Sequence, residues 1–169
     1  MIRRATVSDA APIAYVHVRS WQAAYHGLIP QSYLDTLAPA GREPLWTSLL
    51  ATADWPRSGT LVAADPDVFG FAHLLPTRDE DADPTTVGEI TSIYLLPDHW
   101  GNGLGQQLMA AALDAFAEAG YREASLWVLD TNDRAQRFYR AGGWHPDGAS
   151  KLDTKLGIPL REIRYRRPL

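Results

Sequence analysis

The sequence predicts one α+β domain spanning residues 1–169, with a central, mostly antiparallel mixed sheet of about six to seven strands flanked by helices. Three observations carry this. At 169 residues the chain suits a single domain with a sizeable core. Apolar spacing runs in the order β, helices, a run of β, then α, β, α, β, β. No internal repeat or linker interrupts it.

The opening IRRATV has β character, and Ser8 with Asp9 supplies a helix N-cap and a first-turn acid. Ile13, Val16, His17, Trp21 and Ala24 then recur near helical spacing to about Tyr25, and His26-Gly27 stops the helix. Pro30 opens a short second helix, PQSYLDTL, and EPLWTSLLAT continues helical. TLVAA and VFGFAHLL, joined by Asp65-Pro66-Asp67, read as a hairpin. Residues 78–86, RDEDADPTT, read as a solvated acidic loop without the glycine and spacing of a calcium site. Val87 to Leu96 is the next strand. LGQQLMAAALDAFAEAG is a helix with Leu104, Leu108, Ala111, Ala112 and Ala115 on one face, closed by Gly120. EASLWVL is a strand, Asn132 to Ala141 a helix, and Trp144 onward with LREIRYRR a closing hairpin.

Composition removes whole classes of function. With no cysteine, the chain holds no disulfide, thiolate metal site or cysteine nucleophile, and no metal is expected. A net charge of −4 argues against a nucleic-acid partner. Arg161, Arg164, Arg166 and Arg167 alternate with Ile163 and Tyr165, as on the solvated face of a strand. No apolar run approaches the roughly 20 residues of a membrane span. MIRRATVSDA lacks a signal peptide's apolar segment, so a cytoplasmic location is the default expectation.

The stretch LPDHWGNGLGQQLM raises the chemical question. Its three glycines, at every second position, leave backbone N–H groups uncovered where a strand ends and a helix begins. A Walker loop needs Lys and Ser/Thr after its second glycine, but Gln106 and Gln107 follow Gly105. The dinucleotide fingerprint needs a glycine where Gln106 stands. The loop is therefore either a lysine-free phosphate cradle or a tight turn.

EITSIYLLP, WGNGLGQ and TNDRAQRFYRAGGW together resemble the GNAT superfamily of acetyl-CoA-dependent N-acetyltransferases. Gly103 and Gly105 match the two small positions of the family's loop. Asn132, Tyr139 seven residues on, and Gly-Gly-Trp match its downstream signature. The motifs occupy about residues 89–144, and the element order fits nearly the whole chain. Trp100 departs from the pattern, standing where the family has Arg or Gln.

The resemblance implies acetyl-CoA as cosubstrate, bound through Ile93, Tyr94, Leu95, Gly101, Asn102, Gly103, Leu104, Gly105, Gln106, Asn132 and Tyr139. It implies Tyr139 as the general acid for the coenzyme A thiolate and Glu89 as the base, acting through water. Residue by residue, Tyr139 also reads as a core aromatic beside Phe138, and Glu89 as a strand glutamate satisfied by backbone or an arginine. Strand alternation places Glu89 with Val87, Thr91, Ile93 and Leu95. His73 is a second candidate base.

The resemblance builds the acceptor site from RSWQAAYHGLIPQSYLDTL and DGASKLDTKLGIPLRE. Trp21, Tyr25, His26 and Tyr33, with Asp35 nearby, suit a cationic amine, although Trp21 also suits a seal between helix and sheet. The expected activity is acetyl transfer to a primary amine of a small molecule or peptide, by direct attack in a ternary complex. The alternative is a non-catalytic acyl-CoA-binding module. A homodimer is left open, and neither nucleic acid nor membrane is expected as a partner.

Overall fold

The structure, a computed structural model, describes residues 1–154 and 156–169. Its strands are β1 (Ile2–Arg4), β2 (Gly59–Ala64), β3 (Val68–Pro76), β4 (Val87–Leu95), β5 (Glu123–Leu129), β6 (His145–Asp153) and β7 (Leu160–Pro168). Its helices are α1 (Ala10–Ala24), α2 (Gln31–Leu34), α3 (Pro39–Ala51), α4 (Leu104–Glu118) and α5 (Asp133–Ala141). The seven strands form one sheet in the order β1-β2-β3-β4-β5-β7-β6. Every neighbouring pair is antiparallel except β4 and β5. The predicted fold class and element order therefore hold, and no helix among the described residues is long and apolar enough to cross a membrane.

Two apolar clusters sandwich the sheet. On one side Ile13, Val16, Trp46 and Leu50 of α1 and α3 pack on Val62 and Phe71. On the other, Leu108, Ala112 and Phe116 of α4 pack with Leu74, Ile90, Leu126 and Tyr165. Gly88 permits this second contact, since a Cβ there would lie 2.6 Å from the fully buried Phe116 ring. Overpacking of that kind costs about 1–3 kcal/mol.

Local details differ from the sequence expectation for identifiable reasons. A turn of 3-10 helix, Val7–Asp9, precedes α1, with Thr6 at its N-cap. Asp9, buried there, accepts from the Thr6 N–H at 2.7 Å and pairs with Arg3 at 2.8 Å, so tertiary pairing moves the cap away from Ser8. Helix α3 starts at Pro39, ahead of the expected EPLW, because Pro39 in the first turn needs no N–H partner. Helix α2 is one turn only.

Two surface readings are corrected. Arg164 is 5% exposed and binds Asp79, Asp81 and Asp147 at 3.1, 2.6 and 2.7 Å. It thereby staples the acidic 78–86 loop to the closing hairpin, so neither that loop nor the arginine row is simply solvated. Arg166 joins the network through Glu123 at 2.7 Å and Asp147 at 3.0 Å.

The feature that positions the site is a divergence in mid-sheet. β4 and β5 pair only through Val87–Glu89 and Glu123–Ser125, after which the strands part. A second irregularity lies upstream, where the β3–β4 register slips from His73↔Ser92 to Leu74↔Ile90. This bulge breaks the expected alternation along β4. Ile93 and Leu95 pack with the α4 cluster, as Ile90 does, whereas Glu89 lies on the opposite face beside Leu75.

Candidate active site

The parting of β4 from β5 opens a cleft of about 960 Å³ that continues from the glycine loop to the aromatic residues of α1. At the loop end, Gly101 and Gly103 have φ of 80° and 76°, which an L side chain rarely adopts. A Cβ on either would meet nothing within 4 Å, so open space lies over the loop. Gly105 serves packing instead, since its Cβ would lie 3.3 Å from Phe138 of α5. Gly101, Gly103, Gly105 and Gln106 border the cleft, whereas Asn102 and Leu104 lie outside its lining.

Trp100 is fixed by its indole N–H, which donates to the Leu95 carbonyl at 2.9 Å. Ser20 donates to the same oxygen at 2.9 Å. That carbonyl is therefore already doubly engaged, while Leu95 itself still borders the cleft. Ile93 and Tyr94 also border the cleft. Asn132 accepts the Ala135 N–H at 3.1 Å with Oδ1 and so caps α5, leaving its amide NH2 as the group it can offer.

Tyr139 lines the middle of the cleft, with its ring edge-on to Phe138 and Trp144. The core-aromatic and site readings thus coexist in one residue. Burial, helped by Tyr94 close by, raises its phenol well above the ordinary value, so it stays protonated at neutral pH. The Tyr25 and Tyr94 hydroxyls lie 3.1 Å apart, and burial is the leading cause that raises both.

Beyond Tyr139 the lining turns aromatic and charged. Trp21, Tyr25 and Tyr33 border it as expected. His26 does not: it is exposed, belongs to a separate surface depression with Pro30 and Leu160, and bonds Gln31 at 3.0 Å. Asp35 accepts from Gln31 at 2.8 Å and is likewise off the cleft. Of the DGASKLDTKLGIPLRE stretch, Asp153, Leu156, Leu160 and Glu162 line the cleft, while Lys155 lies outside the described residues.

Glu89 is 2% exposed and does not line the cleft. Arg78 grips it, with Nη2 on Oε1 at 2.6 Å, Nε on Oε2 at 3.1 Å and the backbone N–H on Oε2 at 3.2 Å. Both oxygens are thereby occupied, which matches the arginine-satisfied reading and runs against Glu89 as the base. Arg78 itself borders the cleft.

Two histidines stand in the wall. Burial first, then Arg42, brings His17 down to about 4, and burial first, then Arg78, brings His73 to about 4. Both are neutral at neutral pH. Trp46 donates its indole N–H to His17 Nδ1 at 3.1 Å, so neutral His17 carries its proton on Nε2 and is a donor there. His73 bonds Thr60 through Nδ1 at 2.8 Å.

Sequence reading missed Arg42, Arg78, Trp127 and Arg134, and did not single out Glu162 within its acceptor stretch; all five line the cleft. A signal existed for one. In LREIRYRR, Glu162 alternates with Arg164 on the face opposite Ile163 and Tyr165. Arg78 was hidden in a loop read only for its acids.

Comparison with known proteins agrees with this architecture. The sequence model of the Acetyltransferase (GNAT) family matches residues 18–143. The uncharacterised N-acetyltransferase YuaI of Bacillus subtilis is 32% identical over 165 residues, covering 96% of this chain and 89% of YuaI. Among solved structures, PaiA N-acetyltransferase of Thermoplasma acidophilum in complex with coenzyme A superposes with a TM-score of 0.71 at 18% identity, covering 100% of this chain and 98% of that one. A phosphinothricin acetyltransferase of Sinorhizobium meliloti in complex with acetyl-CoA gives 0.73 at 22% identity, covering 100% and 88%. The chain therefore belongs to the GNAT family of acetyltransferases.

Proposed function

We propose that this chain moves the acetyl group of acetyl-CoA to a primary amine of a small molecule, by direct attack while both are bound. The observation that carries the reading is the continuity of one cleft, from an open glycine loop, past Tyr139, to an aromatic and charged pocket. The coenzyme A and acetyl-CoA held by the two solved relatives support the same cosubstrate here.

The residues present suit that ligand. Backbone N–H groups from Gly101 to Gln106, at the positive end of α4, are placed for a pyrophosphate. The unpaired edges of β4 and β5 beyond Glu89 and Ser125 leave room and hydrogen-bonding groups for an extended amide-bearing arm. Acetyl-CoA supplies an acetyl group activated as a thioester.

An alkylammonium has a pKa near about 10, so the chain must remove a proton before attack. Of the glutamates Glu89, Glu123 and Glu162 on this side of the sheet, Glu162 borders the cleft and the other two do not. Glu162 therefore meets the ammonium and receives its proton, while Glu89 fixes Arg78 in the wall. Lys151 lies over the Trp127 ring at 4.0 Å and pairs with Glu162 at 3.6 Å, so the surroundings of Glu162 suit a cation, which the acceptor ammonium would supply in place of Lys151. Tyr139 holds its proton on the phenol oxygen and gives it to the departing sulfur. With no cysteine in the chain, a cysteine-linked acetyl-enzyme is unavailable, which favours direct attack.

Initial rates of thiol release, with acetyl-CoA and an amine library, test this. Intersecting double-reciprocal lines are expected, and Glu162→Gln should lower kcat/KM by about 100-fold. Parallel lines would overturn direct attack. Binding of acetyl-CoA with no turnover of any amine would favour the acyl-CoA-binding module instead.

A further inference from the structure

Trp100 departs from the loop pattern of the family that the chain resembles, and its surroundings place a cation beside it. The Arg134 guanidinium lies over the Trp100 ring, with Cζ 3.5 Å from the centroid. Arg134 stands in the first turn of α5, and Trp100 opens the glycine loop. The two residues therefore bridge the gap between α5 and the start of α4, a junction closed below by Gly105 against Phe138. Arg134, Trp100, Gly101 and Gly103 all border the same cleft.

The chemistry of the stack matters. A guanidinium laid face-on over an indole gains a cation–π contact yet spends none of its in-plane N–H donors. Among the described residues Arg134 has neither an ion pair nor a hydrogen bond, unlike Arg78 and Arg164. Its guanidinium is partly desolvated without a compensating carboxylate, which lowers its pKa from the ordinary value while leaving it charged. Trp100 is in turn immobilised by its bond to the Leu95 carbonyl. The result is a fixed, unneutralised cation with free donors beside a bare backbone cradle.

We infer that Arg134, held on the Trp100 ring, supplies the positive charge that binds the coenzyme pyrophosphate, replacing from α5 a side chain that the loop lacks. This rests on the coenzyme reading above and adds a residue and a geometry to it. Trp100 is then the positioning residue and Arg134 the ligand-contacting one.

Calorimetric titration of coenzyme A and of dephospho-coenzyme A, which keeps the pyrophosphate but lacks the 3′-phosphate, separates the possibilities. Arg134→Gln should weaken both ligands by about 10- to 100-fold, the range for a lost charge-assisted hydrogen bond. Arg134 is exposed, so its thermal unfolding midpoint should stay that of the unmodified protein. Trp100→Ala should lose part of the same affinity, and Trp100→Arg placed in the Arg134→Gln background should restore most of it. Arg134→Gln binding within about twofold of the unmodified protein overturns the inference. A loss confined to coenzyme A overturns the pyrophosphate assignment, and an unchanged Trp100→Ala overturns the positioning role. If the unmodified protein binds neither ligand, the coenzyme reading itself fails and this inference falls with it.

Discussion

Arg78 closes on Glu89 through side-chain bonds of 2.6 and 3.1 Å, joining a guanidinium at the cleft wall to a carboxylate buried beneath it. The pair is asymmetric, with Arg78 62% and Glu89 3% exposed in their side chains. Removing the arginine strands a buried charge, whereas removing the charge on the glutamate strands a solvated one. Arg78→Ala should therefore destabilise the fold by roughly 2–3 kcal/mol and Glu89→Gln by less, measured by denaturant unfolding. In kinetics Glu89→Gln should raise KM through a displaced Arg78, with kcat within about tenfold. A thousandfold fall in kcat at unchanged KM would return Glu89 to the role of base.

Tyr139 carries the proton assignment. Tyr139→Phe should lower kcat by about 100-fold or more, with the calorimetric affinity for acetyl-CoA held within a few-fold. Because burial raises its phenol, the acid form persists to a higher pH than an ordinary tyrosine allows. The rate should accordingly show no fall assignable to Tyr139 below about pH 10. An alkaline limb near neutral pH that Tyr139→Phe abolishes would contradict this.

The two buried histidines make stability depend on pH. Each sits at about 4 when folded against 6.5 in the open chain, so the unfolded state binds more protons between those values. Stability should be full above about pH 6.5, fall as the pH drops toward about 4, and level off below it. Each histidine contributes on the order of 3 kcal/mol to that fall. The fall in urea midpoint across this range should be roughly halved by His73→Gln, with His17 supplying the rest, and an unchanged fall would show that His73 is not one of the titrating groups.

The fold was legible because it rests on short-range periodicity. The apolar runs of β2 and β3 either side of Asp65-Pro66-Asp67, the 3.6-residue spacing of α4 and the glycine stops at Gly120 and Gly142 mark their elements without reference to distant residues. Tyr139 was legible for a similar reason, since its distance from Asn132 is a fixed spacing along one segment.

Glu89 shows where such reasoning stops. Alternation placed it with Ile93 and Leu95, but one bulge opposite His73 and Leu74 turned it to the other face. A bulge depends on strand register, which two segments decide together. His26 failed likewise: its aromatic neighbours Trp21 and Tyr25 reach the cleft, while the turn after α1 carries it to the surface.

The amino-acid sequence by itself determined the element order, the glycine loop and the departure at Trp100, since each is written in adjacent residues. Only the tertiary structure decided which charge serves which purpose. Arg78 on Glu89, Arg164 among its aspartates and Arg134 on Trp100 pair groups separated by 11 to 85 positions in the chain. The energy of a charge depends on its burial and on its nearest opposite charge or ring, and both are properties of the folded chain.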